Sequence, residues 1–174
     1  MSWFNRFTQI SLVCLCSLVL TACFRPLNGS FGKNSGSVAA QLAQIDIEST
    51  SRSEVLNHYL TEDLRFEFNG GNPSKDIRYK LKIYSSDGLT VPVIESSSGR
   101  AEIGSVVTSV QFTLTQLDTG KVIGSGTVSS SATFDRMSQR FSSARARRDA
   151  QIRDAQNMAE QLRTRIAALF MQNP

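Results

Sequence analysis

The chain has 174 residues, a formal net charge of +4 at neutral pH, one histidine and three cysteines. That length suits one domain with a single core, and a single histidine leaves no pair for a His-x-x-x-His metal site. The small net charge hides an asymmetry: residues 23–135 hold 10 basic and 12 acidic side chains, whereas residues 136–174 hold 8 arginines against 3 acidic residues.

The first 22 residues read as an export signal. Arg6 supplies the positive start, and Ile10 to Leu20 is an apolar run interrupted only by small residues. The run is too short to span a bilayer, which needs roughly 20 apolar residues. Leu20-Thr21-Ala22-Cys23 resembles the bacterial lipobox, at which a signal peptidase cuts so that the cysteine becomes the acylated first residue. Cys23 is therefore the expected lipidation site. Thioether- and amide-linked acyl chains contribute about 0.8 kcal/mol per buried methylene, and two or more such chains make a stable anchor. The other two cysteines fall in the signal, which leaves no thiol for a disulfide or a metal. Residue 24 is Phe rather than the Asp associated with retention in the inner membrane, so the expected destination is the periplasmic face of the outer membrane.

Residues 23–40 read as the acylated N-terminus and a tether, because Phe24 to Gly36 is rich in glycine, asparagine and serine and contains Pro26. Residues 41–174 read as one folded domain. Ile45-Asp46-Ile47-Glu48 alternates as a first strand does. Ser51 and Glu54 have capping-box spacing and predict the start of a helix whose stripe is Val55, Leu56, Tyr59, Leu60 and Leu64, ended by Asn69-Gly70-Gly71-Asn72-Pro73. Asp76 to Ser85 predicts a strand with Ile77, Tyr79, Leu81 and Ile83 on one face and Arg78, Lys80, Lys82 and Tyr84 on the other. Ser86 to Gly99, with Asp87-Gly88, Pro92 and several serines, reads as a long exposed connection.

A second long strand carries Val106, Val110, Phe112 and Leu114 on one face. Leu117 to Lys121 predicts a hairpin turn in which Gly120 takes a positive φ. The returning strand runs from Val122 to about Phe134, and Gly124, Gly126 and Ser129-Ser130-Ser131 give it little bulk, permitting close approach by another backbone. Ser142 or Ser143 is the expected cap of a final helix to about Met171. Its apolar face is Ala144, Ile152, Ala155, Ala159, Leu162, Ile166 and Phe170, with Arg148 as the polar exception. The fold expected is α+β, a two-layer sandwich in which two helices cover one face of a four-stranded mixed sheet, in the order β-α-β-β-β-α.

No catalytic or cofactor motif stands out. His58 sits beside the buried stripe of its helix, the Glu62-Asp63 pair is expected to face solvent, and neither a Gly-rich phosphate loop nor G-x-S-x-G occurs. These features describe a binding or assembly component rather than an enzyme, with no cofactor, no metal and no nucleic-acid partner.

Cys23-Phe24-Arg25-Pro26-Leu27-Asn28-Gly29 resembles the mature start of the lipopolysaccharide-assembly lipoproteins of the LptE family, alphaproteobacterial type. There the acylated cysteine is followed closely by an aromatic, a Pro-Leu pair and a glycine. The match departs at Phe24, where the family commonly has glycine, and at Asn28, where it has an aromatic. The family shares the β-α-β-β-β-α layout and an Ala- and Arg-rich last helix, which residues 144–170 match in character. The resemblance implies a non-enzymatic partner that plugs the outer-membrane barrel LptD, helps it fold, and assists delivery of lipopolysaccharide to the surface. A second reading is a periplasmic lipoprotein accessory to another lipid-transport or cell-wall machine.

Lipopolysaccharide carries phosphates and carboxylates that call for cations. Arg78, Lys80 and Lys82 share a strand face, where their mutual repulsion, about 1 kcal/mol for a close pair in water, is relieved by a polyanion. They are the expected lipopolysaccharide-binding residues. Arg140, Arg145, Arg147 and Arg148 form a second cluster, expected to be partly neutralised by Asp149 and Asp154.

Overall fold

A computed structural model describes residues 38–71, 76–94, 101–136 and 138–172. The signal, the lipobox, Cys23 and the tether through Gly36 lie outside the described residues. The elements in chain order are α1 (Val38–Ala43), β1 (Ile45–Ser51), α2 (Glu54–Asn69), β2 (Tyr79–Ile94), β3 (Ala101–Gln116), β4 (Val122–Asp135) and α3 (Arg140–Gln172). The strands form one mixed sheet in the order β1-β2-β3-β4, with β1 parallel to β2 and the other pairs antiparallel. The α+β two-layer fold is as expected, with the short α1 added. Leu42 of α1 is buried in the main core.

Helix α2 starts at Ser53, not at Ser51. The Ser53 side chain accepts from the Leu56 N–H, while Ser51 ends β1, donating its hydroxyl to the Ser85 carbonyl and accepting from the Ser53 N–H. Strand pairing thus claims the residue that capping-box spacing assigned to the helix. Leu56, Leu60, Leu64 and Phe68 are the buried stripe, one helical repeat apart, and Tyr59 packs at its margin. Gly70 closes α2, its N–H bonding the Phe66 carbonyl.

Strand β2 does not stop at Ser85. It continues through residues 86–94, where Asp87 pairs with Thr108 and Leu89 with Val106. The turn-forming composition of this stretch is overridden by ladder bonds to β3, and the register shifts between Thr90 and Val93, around Pro92, which has no N–H to contribute. The β3–β4 turn is as expected, with Gly120 at φ 67° and its N–H on the Gln116 carbonyl. At Gly124 an added Cβ would lie 2.6 Å from Leu169, so the missing bulk there admits a side chain of α3 rather than another backbone.

Helix α3 begins at Arg140, ahead of either expected cap, and Ser142 instead donates to the Gln139 side chain. At about 1.5 Å per residue its 33 residues extend roughly 50 Å. Ala150, Met158, Leu162 and Ile166 are buried on it, and Ala144 is not. Two apolar clusters lie between helices and sheet. The larger holds Leu60, Leu81, Val110, Leu114, Met158 and Leu162, and the smaller holds Val106, Ala132, Phe134 and Ala150. Between them the sequence places Thr108 on β3 and Asp154 on α3, both fully buried along with Ser85. Their side-chain oxygens have no hydrogen-bond partner among the described residues. Gln151, one turn before Asp154, donates to Asp87 across the same layer at 2.9 Å.

Candidate functional site

Because every described helix packs on one side of the sheet, alternate residues of each strand line a face that no helix among the described residues covers. Strand register sets the rows on it: Glu48, Lys82, Thr113 and Ser125 run across four strands, followed by Thr50, Tyr84, Gln111 and Thr127, then Ser86, Ser109 and Ser129. The charges gather on β1 and β2. The β3 and β4 side carries hydroxyls and an amide, short groups that present donors and acceptors with little bulk. Within these three rows the face is polar.

The three cations singled out from the sequence are only partly brought together. Lys80 and Lys82 lie 3.5 and 3.7 Å from one carboxylate, Glu48 of the neighbouring strand, while Arg78 precedes β2 and bonds Asp76 at 3.1 Å. The expectation of three unrelieved like charges is therefore corrected, since parallel pairing of β1 with β2 sets Glu48 beside both lysines.

The second cluster is the more exposed to an incoming anion. Arg136, Arg140, Arg145, Arg147 and Arg148 are all exposed, and none has a carboxylate within 4.0 Å among the described residues. The expected neutralising acids are engaged elsewhere: Asp149 pairs with Arg153 at 3.0 Å, and Asp154 is buried. No acidic residue occupies the first turn of α3, so the helix dipole adds to the positive potential. Phe141, 73% exposed, stands among these arginines, with the Arg145 guanidinium 5.6 Å from its ring centroid. Sequence reasoning passed over Phe141, although its position off the apolar repeat of the helix was a readable signal.

Glu62 and Asp63 do not share the solvent face. Glu62 is exposed and bonds Arg65 at 2.7 Å, whereas one Asp63 oxygen is buried without a hydrogen-bond partner. Burial first, then the charges of Glu67 and Glu62, push the Asp63 carboxyl above its ordinary 3.8. The folded state then holds this proton more tightly than the unfolded chain. Stability falls as pH rises from that ordinary value through the raised one. Asp63→Asn is expected to flatten this part of the profile and stabilise the domain at neutral pH, as read from denaturation midpoints across pH.

Among the described residues, no three His, Cys, Asp or Glu side chains are placed to hold a metal, and no helix is long and apolar enough to cross a membrane. A family profile described as lipopolysaccharide-assembly, LptE, matches residues 42–166, from α1 nearly to the end of α3. The chain belongs to the LptE family. As a member it is a lipoprotein of lipopolysaccharide transport in the cell envelope. Solved structures share the LptE-like fold at low identity. A Caulobacter crescentus protein assigned as a lipoprotein is 19% identical, with a TM-score of 0.60 over 79% of this chain and 97% of its own. The minor lipoprotein of Acinetobacter baumannii is 15% identical, with a TM-score of 0.53 over 71% and 90%. Rare lipoprotein B of Shewanella oneidensis is 13% identical, with a TM-score of 0.51 over 72% and 98%. No curated protein sequence matches significantly.

Proposed function

We propose that this LptE-family chain, anchored through Cys23 to the periplasmic face of the outer membrane, fills the lumen of the barrel LptD and takes part in delivering lipopolysaccharide to the cell surface. The observation that carries this reading is the uncovered, hydroxyl-rich sheet face. A barrel lumen is polar, and a plug must meet it with polar groups that are short enough to pack closely. Ser109, Gln111, Thr113, Thr127 and Ser129 offer such groups on one sheet face.

Lipopolysaccharide binding in this reading draws on both cationic clusters. The arginines of α3 carry the larger share, since forked guanidinium contacts suit phosphate and their charge is not offset nearby. Arg78, Lys80 and Lys82 contribute less, because Glu48 and Asp76 compete for them. Replacing Arg140, Arg145, Arg147 and Arg148 with Ser is expected to weaken lipopolysaccharide binding about tenfold, equivalent to ~1.4 kcal/mol. The Arg78, Lys80 and Lys82 triple Ser variant should lose less, and wild-type affinity should fall as salt rises. Co-purification with the barrel should persist in both variants. Unchanged affinity in both removes these residues from the site, and loss of surface lipopolysaccharide without loss of barrel assembly on depletion would argue against the plug.

A further inference from the structure

Helix α3 rests on two different floors. From Ala155 onward it covers the larger apolar cluster together with α2, whose buried residues Leu56, Leu60, Leu64 and Phe68 all belong there. Nearer its start it lies over the sheet without α2 beside it, because β1 pairs with β2 only as far as Ser51 with Ser85, and α2 begins just after that point and runs back along β1. Ala150 is the one buried residue between Arg140 and Arg153, and with Val106, Ala132 and Phe134 it makes up the smaller cluster. Leu89, paired with Val106 on the same face, stays 45% exposed, so the helix does not close over this floor.

The join between the two floors is polar. Ala150 shares a cluster with Val106, and Met158 shares one with Val110. Four helix residues and two strand residues each advance about 6 to 7 Å, so Asp154, midway on the helix, lies level with Thr108, midway on the strand. Both are fully buried, and neither side chain has a hydrogen-bond partner among the described residues. Unpaired buried polar groups oppose packing, which makes this level the weak point beneath α3. The helix is also weak on its own account before this level. Arg140, Arg145, Arg147 and Arg148 crowd the positive end of its dipole, no acid stands in the first turn, and Asp149 is engaged by Arg153. A helical stretch this short is marginal without tertiary packing. We propose that residues 140–152 are a lid that unwinds and reforms on the sheet independently of the rest of α3, and that phosphate-rich anions hold it closed. The helical form brings the guanidinium groups together and the unwound form spreads them, so a polyanion binds the closed lid more tightly and shifts the population toward it. The opening rests on packing alone, whereas closure by anions shares its arginines with the lipopolysaccharide reading above.

Amide hydrogen exchange of the full chain in detergent, without barrel or lipopolysaccharide, tests this. Amides of residues 145–152 should exchange about 100-fold faster than those of residues 158–170. Sodium tripolyphosphate should slow the lid about tenfold against sodium chloride at matched ionic strength and leave residues 158–170 unchanged. Asp154→Leu, which joins the two apolar clusters, should slow lid exchange about tenfold in the absence of any anion. Thr108→Val makes the same comparison with less change of shape, should Asp154→Leu fail to fold. Ser142→Asp, which sets an acid in the first turn, should slow the lid as well. Lid amides as slow as those of residues 158–170 overturn the proposal, as does a fast lid that Thr108→Val and Ser142→Asp both leave unchanged. A fast lid that tripolyphosphate does not slow overturns closure by anions. Lipopolysaccharide affinity that survives loss of the arginines would sink the earlier reading while leaving these exchange rates as they are, so the two fail separately.

Discussion

Ending the chain after Gln156 abolishes cooperative folding of the domain. The deletion removes Met158, Ala159, Leu162, Ile166, Ala167 and Phe170, all buried, and uncovers Val110, Phe112, Leu114 and Val128, which belong to the same core. The four large side chains alone contribute roughly 6 to 12 kcal/mol at about 1.5 to 3 each. A domain of this size holds only about 5 to 15 in total. Calorimetry should find no cooperative transition in the truncated chain, and far-UV circular dichroism should show loss of strand as well as helix. A truncated protein that melts like the full domain would make the C-terminal half of α3 a free arm, contrary to its burial.

The second large effect lies at the other end of the chain. Cys23→Ala should eliminate incorporation of a fatty-acid analogue and move the protein from the membrane to the soluble fraction. Each acyl chain of sixteen or so carbons contributes on the order of 10 kcal/mol at about 0.8 per methylene, so no surface patch of the folded domain replaces it. Unchanged labelling and unchanged sedimentation with membranes would remove Cys23 from its assigned role.

Most of the layout was legible from periodicity alone. The stripe of α2, the apolar face of β3, the hairpin at Gly120 and the long last helix each rest on residues that repeat locally, and local repeats survive in the fold when one face is buried against a large partner. The errors cluster where a distant strand or helix decides. Ser51 looks like a helix cap until β1 pairs with β2 and engages its hydroxyl with the Ser85 carbonyl. Residues 86–94 look like a loop until β3 supplies a ladder for them. Gly124 looks like room for another backbone, and α3 fills it with Leu169.

The candidate site divides in the same way. By itself the sequence determined the lipobox resemblance at Cys23, the placement of arginines in the last element and the alternation that puts Lys80 and Lys82 on one strand face, because all of these are properties of neighbours along the chain. Only the tertiary structure decided which charges are offset. Parallel pairing places Glu48 against both lysines, while the rotation of α3 buries Asp154 and leaves Arg145, Arg147 and Arg148 in solvent. It also decided that, among the described residues, one sheet face stays bare and β4 is an edge, since strand order and the side chosen by each helix depend on contacts between residues far apart in sequence.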